Sequence, residues 1–255
     1  MLNKALKINE NNEMVSIVGA GGKTSFMYAL ARELSSLQRK VIITTTTHLK
    51  KPIGKTCELM ILENCPERAV YKINQIFETS NLALWVDKEV PEGKVSGISP
   101  ENLDIIAGKG VAEYILVEAD GSKGLPIKAP ASHEPVIPKK TTMLVGLIGI
   151  DALGCNIDNK TVHRPEYLSR IAQKPMGDII DEKVIQNLIN SPDGLFKGST
   201  DPMKKVVVIN KVDNNQRLEL ALKLTEGIKS KSNIGIFRIL LTSFNFETPR
   251  VRVIL

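Results

Sequence analysis

The stretch Val15–Ser25, VSIVGAGGKTS, sets three glycines, a lysine and a threonine between four β-favouring residues and an amphipathic segment over Ser25–Leu37. Glycines let successive backbone N–H groups turn toward one anion, and a helix starting there adds its partial positive charge. Gly19, Gly21, Gly22 and Ser25 would line a phosphate, Lys23 would reach its terminal oxygens, and the Thr24 hydroxyl would ligate Mg²⁺. The longer spacing G-x-x-x-x-G-K-[ST] would require glycine at position 17, where Ile17 stands, so the loop has the shorter form G-x-x-G-K-T.

Two further clusters have the chemistry such a loop needs. Tyr114–Val117 delivers Glu118-Ala119-Asp120-Gly121-Ser122. A hydrophobic strand ending in acid can orient Mg²⁺ and its waters across from a Lys-Thr helix start. Either Glu118 or Asp120 would serve as the metal acid, and with Lys23 they form the candidate catalytic set. The apolar run Lys205–Ile209 ends in Asn210-Lys211-Val212-Asp213, which reads N-K-x-D. An Asp carboxylate can accept from both N1–H and the 2-amino group of guanine, a donor pair that adenine lacks. Asn210 would brace the loop, the Lys211 stem would pack over the base, and Thr242 and Ser243, ending the run Ile236–Leu241, would support it from the far side.

A second ligand is suggested by polar residues elsewhere. Val41–Thr45 reads as a buried strand and runs into Thr46, Thr47 and His48, an unusual payload for a strand end where ligands gather in doubly wound sheets. Residues 123–140 hold prolines at 126, 130, 135 and 138, interleaved with Lys128, His133 and Glu134. A stiff segment of this length with no helical or strand pattern is expected to be a functional loop. His163 and Arg164 precede Pro165 at a helix start, a position suited to an anion.

The intervening elements follow from periodicity. Residues 1–12 read as a short helix or extended lead-in, Cys57–Leu62, Leu82–Val86 and Thr142–Ile150 as strands, and Lys94–Ile98 as a short strand or hairpin arm. Pro66–Thr79, the segment from Ser99, the one from Pro165 to about Gln173, Asp181–Ile189 and Gln216–Ile228 read as helices, with Ser191–Pro202 a connector and Val251–Leu255 an edge strand. Alternation of strands and helices implies an α/β fold of three layers, a mostly parallel sheet with helices on both faces. The whole chain, 1–255, is expected to form a single P-loop NTPase-like domain.

Composition narrows the class. The chain has 255 residues, 42% hydrophobic and 24% charged, with a formal net charge of +6. Its basic residues are dispersed and aromatics make up 4%, which argues against the stacking platforms of single-strand nucleic-acid binders and suits a handler of polyanionic nucleotides. Three scattered cysteines give neither a disulfide framework nor a metal knuckle, so a cytoplasmic setting is expected. The longest apolar run, Met143–Ile150, is too short to span a bilayer.

The shortened loop is similar to that of Mur-type ligases, and Glu118 in E-x-x-G resembles the acidic strand motif of metallochaperone GTPases. Taken together, VGAGGKTS, TTTTH, VEADGS, KAPASHEPVIP, DALG, HRPE and NKVD resemble the YqeC family, from about residue 15 to 213. That resemblance implies an accessory role in maturing selenium-dependent molybdenum hydroxylases or their cofactor, with a hydroxylase or its maturation proteins as partner. The residues themselves point to Mg²⁺-dependent binding of GTP or ATP, GTP slightly favoured, and to an NTPase. Two alternatives stay open: a kinase or Mur-like ligase passing a phosphoryl group to a small acceptor, and a non-hydrolysing cofactor chaperone.

Overall fold

The computed structural model describes residues 2–8, 12–52, 59–245 and 249–255. Its centre is a nine-stranded sheet. In chain order the strands of this sheet are β1 (Glu13–Gly19), β2 (Val41–Thr45), β4 (Met60–Leu62), β5 (Leu82–Val86), β8 (Tyr114–Glu118), β10 (Met143–Gly149), β12 (Lys204–Asn210), β13 (Ile236–Ser243) and β14 (Arg250–Val253). Across the sheet they lie in the order β14-β13-β12-β10-β1-β8-β2-β5-β4. Every pairing is parallel except β13 with β14, which is antiparallel at the edge. Three-residue strands β3 (His48–Lys50), β6 (Lys88–Val90) and β7 (Lys94–Ser96) form a separate small sheet, and β9 (Ile127–Lys128) pairs with β11 (Val162–His163).

Strand pleating divides the core. Val15 and Ile17 of β1, with Val41 and Ile43 of β2, face α1 (Leu2–Leu6) and α2 (Lys23–Ser36) through Leu6, Phe26, Leu30 and Leu34. The alternate residues turn the other way. Met14 and Ile42 meet α3 (Pro66–Phe77) and α4 (Pro100–Lys109), whereas Val18 and Leu144 meet α5 (Pro165–Ala172), α6 (Glu182–Asn190) and α7 (Asn215–Lys231). Helices therefore cover both faces of a mostly parallel sheet, the three-layer α/β arrangement. Central strands such as Met143–Gly149 are buried at every position, which is why they read as unbroken apolar runs rather than as alternation. No helix among the described residues is long and apolar enough to cross a membrane.

Three features differ from the sequence expectation. The segment from Lys123 to Lys140 is not without strand: Ile127–Lys128 pairs in parallel with Val162–His163, too short a pairing for any residue pattern to announce. His48 belongs to the small sheet, opposite Ser96, rather than to the C-terminal end of β2. Of the strand expected over Cys57–Leu62, Met60–Leu62 is strand, while Cys57 and Glu58 lie outside the described residues.

Candidate functional site

β1, β8, β10 and β12 all end at one edge, and their parallel pairing brings the loop after β1 between the ends of β8 and β10. Turning directly from strand to helix demands left-handed backbone at Gly21 (φ 82°) and Gly22 (φ 122°). Space forbids side chains there as well. A Cβ on Gly21 would lie 2.3 Å from Gly149 N, and one on Gly22 2.3 Å from Asn210 Nδ2. The loop is pinned from outside itself: Ala20 N–H donates to Leu147 O at 2.9 Å and Gly21 N–H to Leu125 O at 3.0 Å. No side chain caps α2, so its first-turn N–H groups, including those of Thr24 and exposed Ser25, are the ones open to an anion.

Lys23 does not point out of the loop. Its Nζ donates to Gly19 O at 2.7 Å, lies 3.1 Å from Asp120 Oδ1 and 3.9 Å from Glu118 Oε1, and the residue is buried. Thr24 Oγ1 donates to Glu118 Oε2 at 2.8 Å, so the hydroxyl and the acid expected to share a metal are already in contact. Asp120 uses Oδ2 to accept from Gly19 N–H at 3.1 Å, while its buried Oδ1 faces the Lys23 ammonium without receiving a well-formed hydrogen bond. Burial pushes the Glu118 carboxyl above its ordinary range, against the opposing pull of Lys23 and Thr24. The same carboxylate, after burial, helps push the Tyr28 phenol, one helical turn beyond Thr24, up to about 12.

The proline-rich segment is stitched onto this edge. Lys128 is completely buried; its Nζ donates to Gly121 O at 2.7 Å and to Glu134 Oε2 at 2.7 Å, and lies 3.1 Å from Asp120 Oδ2. Glu134 in turn accepts from Arg164. Burial raises the Glu134 carboxyl, but the hydrogen bonds from Arg164 and Lys128 outweigh it and hold the group at about 2. His163, beside Lys128 across the β9–β11 pair, is brought down to about 4 by burial first and then by the Lys128 and Arg164 charges. Thr46 Oγ1 donates to Val136 O at 2.7 Å, and Thr47 N–H to Thr45 Oγ1 at 3.1 Å. Exposed His48 and His133 do not join this network.

At the other end of the edge, Asn210 reaches across 189 positions: its Nδ2 donates to Gly21 O at 2.7 Å, and its Oδ1 accepts from Thr242 Oγ1 at 2.9 Å. Asp213 accepts from Ser243 Oγ, from Arg217 Nη1 at 2.9 Å and from Asn245 Nδ2 at 2.9 Å. Lys211 (φ 64°) has its Nζ 2.7 Å from Asp151 Oδ2. A pocket of about 180 Å³ opens beside Asp213, Thr242 and Ser243, walled also by Leu218, Leu241 and Arg252. Sequence reasoning missed Asp151, Arg217, Asn245 and Tyr28. For Asp151 a signal existed, an acid directly after a buried strand, in D-A-L-G; the others depend on partners far along the chain.

The hydroxyl and carboxylates of Thr24, Glu118 and Asp120 are hard oxygen donors at a helix N-terminus. Such a set suits Mg²⁺, which takes one or two carboxylates and fills its remaining positions with phosphate oxygens and water. No group of three or more His, Cys, Asp or Glu among the described residues is arranged to hold a metal ion by itself. Fold and edge together define an α/β protein with a strand, glycine loop and helix facing an acidic strand end. The YqeC protein family profile matches residues 15–166. The chain is 33% identical over 199 residues to the uncharacterised protein YqeC of Escherichia coli (strain K12), covering 78% of this chain and 75% of that one. This chain belongs to the YqeC family. A solved chain of the MinC:MinD cell division protein complex of Aquifex aeolicus aligns with 90% of this chain and 81% of that one, at 13% identity and a TM-score of 0.41, a distant likeness.

Proposed function

We propose that this chain binds a nucleoside triphosphate with Mg²⁺ along the ends of β8, β1, β10 and β12, favours GTP over ATP, and hydrolyses it slowly. The observation that carries the reading is the Asn210 hydrogen bond to Gly21 O. It ties the N-K-x-D segment to the glycine loop, so that a base on Asp213 and phosphates on the α2 N-terminus would belong to one ligand. Gly21, Gly22, Lys23, Thr24 and Ser25 would hold the phosphates, and Thr24 with Glu118 or Asp120 would hold Mg²⁺, which supplies charge neutralisation at the transferring phosphoryl group. Among the described residues no glutamine or arginine is identified that would meet the terminal phosphate, so intrinsic turnover is expected to be slow.

Lys128, Glu134 and Arg164 saturate one another, which favours a role in shaping the edge over direct capture of a phosphoryl acceptor. The accessory role in maturing a selenium-containing molybdenum hydroxylase rests on the family resemblance, and its partner would be such an enzyme or a protein that matures its cofactor in the cytoplasm. Calorimetric titration with GTP, ATP and CTP, with and without Mg²⁺, tests the nucleotide reading. Tight binding should require Mg²⁺ and rank GTP first. A Lys23→Ala protein that binds GTP and ATP as the wild type does would overturn it.

A further inference from the structure

Asp151 stands in the short 3₁₀ turn Ile150–Ala152 immediately after β10, beside the glycine loop, because Gly21 packs directly on Gly149. Its Oδ2 accepts from Lys211 Nζ at 2.7 Å across 60 positions, and the Lys211 and Asp151 side chains are 31% and 26% exposed. Its Oδ1 is buried without a hydrogen-bond partner and is packed so closely on Gly149 that a Cβ there would fall 2.4 Å away. The carboxylate is therefore wedged against the backbone and cannot swing freely. At the other end of Lys211, its carbonyl accepts from Arg217 Nη1 at 3.1 Å, and its backbone is held at φ 64°. With both ends fixed, the four methylenes of Lys211 form a bar running from the end of β12 toward the end of β10.

We propose that Asp151 is a specificity-determining positioning residue, which holds the Lys211 stem as one apolar wall of the slot for the guanine ring. The inference rests on the guanine reading above and extends it to a residue outside the N-K-x-D segment. The ammonium of Lys211 is spent on Asp151 and lends little charge to the phosphates; its contribution is to the base. A methylene surface of fixed position offers a ring van der Waals contact without paying to order a long side chain at the moment of binding.

The test uses the full chain with Mg²⁺ and three probes, GTP, ATP and inorganic tripolyphosphate, titrated into wild type, Asp151→Ala, Asp151→Asn, Lys211→Ala and the Asp151→Ala/Lys211→Ala double variant. A pocket contact of this kind discriminates by roughly tenfold. Asp151→Ala should lose about that factor for GTP, narrow the GTP:ATP ratio, and leave tripolyphosphate affinity within about twofold. Asp151→Asn, whose amide oxygen still accepts from the ammonium, should retain most GTP affinity, and the double variant should be no worse than Lys211→Ala. If the wild type prefers GTP and Asp151→Ala keeps that preference undiminished, this inference alone is overturned. Equal loss of GTP and tripolyphosphate would also overturn it, because it would mark a merely structural role. A wild type that binds GTP and ATP alike overturns the guanine reading and this inference with it.

Discussion

Asn210→Ala removes a side chain that ties the N-K-x-D segment to the glycine loop. Asn210 is 3% exposed and makes two hydrogen bonds, to Gly21 O and from Thr242 Oγ1. Each is worth about 1 kcal/mol net, and the buried Gly21 carbonyl left without its donor adds a further penalty of about 1–2 kcal/mol. The expected loss of stability is therefore about 3–4 kcal/mol. Urea denaturation read by circular dichroism measures it: with an m-value near 3 kcal/mol/M, the midpoint should fall by about 1 M. Thr242→Val removes only one of the two bonds and should cost about 1 kcal/mol. In the double variant the two costs should fall short of additive by about that amount, since the shared bond can be lost only once. Tripolyphosphate affinity should fall with Asn210→Ala, because the loop that carries the anion has lost its brace. A midpoint shift below about 0.2 M with unchanged tripolyphosphate binding would refute the argument that the two segments form one site.

Asp213→Asn exchanges an acceptor for a donor at the proposed base-reading position; GTP affinity should drop roughly 10- to 100-fold and xanthosine triphosphate, which carries a carbonyl in place of the 2-amino group, should gain, as competition titration will read. Lys128→Met strips one ammonium from two buried carboxylates, Asp120 and Glu134, and should cost about 3–5 kcal/mol of stability by denaturant midpoint. A loss below about 1 kcal/mol would contradict the buried network. His163 has its pKa lowered from 6.5 to about 4, so the native state holds fewer protons there than the unfolded chain. Its stabilising contribution is present above pH 6.5 and is lost as pH falls toward 4, about 1–2 kcal/mol once solvent screening of a partly exposed ring is allowed for; His163→Gln should flatten the wild-type stability slope over that window.

Much of the architecture was legible because it is local. Parallel strands buried on both faces advertise themselves as β-branched runs, and Lys204–Asn210 is such a run ending in the N-K-x-D segment. Pro66 and Pro100 each announce a helix start, and the Ser99 hydroxyl accepts from Asn102 N–H as a helix cap should. Of the small sheet only Lys94–Ser96 was legible, as a short strand or hairpin arm; its partners His48–Lys50 and Lys88–Val90 escaped notice because they are three residues long and mostly polar. Site residues were legible by type, and their partners were not. Arg164 reads as an anion receptor at a helix start, and it does meet an anion, the chain's own Glu134. Lys128 reads as a ligand-facing cation in a stiff loop and is instead sealed between Asp120 and Glu134. A sequence gives the charge a group seeks, and only the fold decides whether the answer comes from the chain or from solution.

That self-saturation determines how a nucleotide could enter. Asp213 offers about four lone-pair sites on its two oxygens, of which Ser243, Arg217 and Asn245 fill three. Guanine needs two, so one internal donor must leave. Asn245, which is exposed, is the inexpensive one, since a neutral hydrogen bond is worth only about 1 kcal/mol net, and Arg217 can stay to hold the Lys211 carbonyl. Lys23 is a different case. It lies buried beside Asp120 and Glu118, and moving it alone toward a phosphate would leave those carboxylates without their cation. On the proposed reading, Glu118 and Asp120 would be kept from standing without a cation if Mg²⁺ were held there, where it would supply the positive charge that Lys23 gives up. If the proposed site binds as inferred, the base end would exchange partners cheaply and independently of metal, whereas at the phosphate end Lys23 could leave its carboxylates only as Mg²⁺ takes its place, which would couple metal and triphosphate into one binding event.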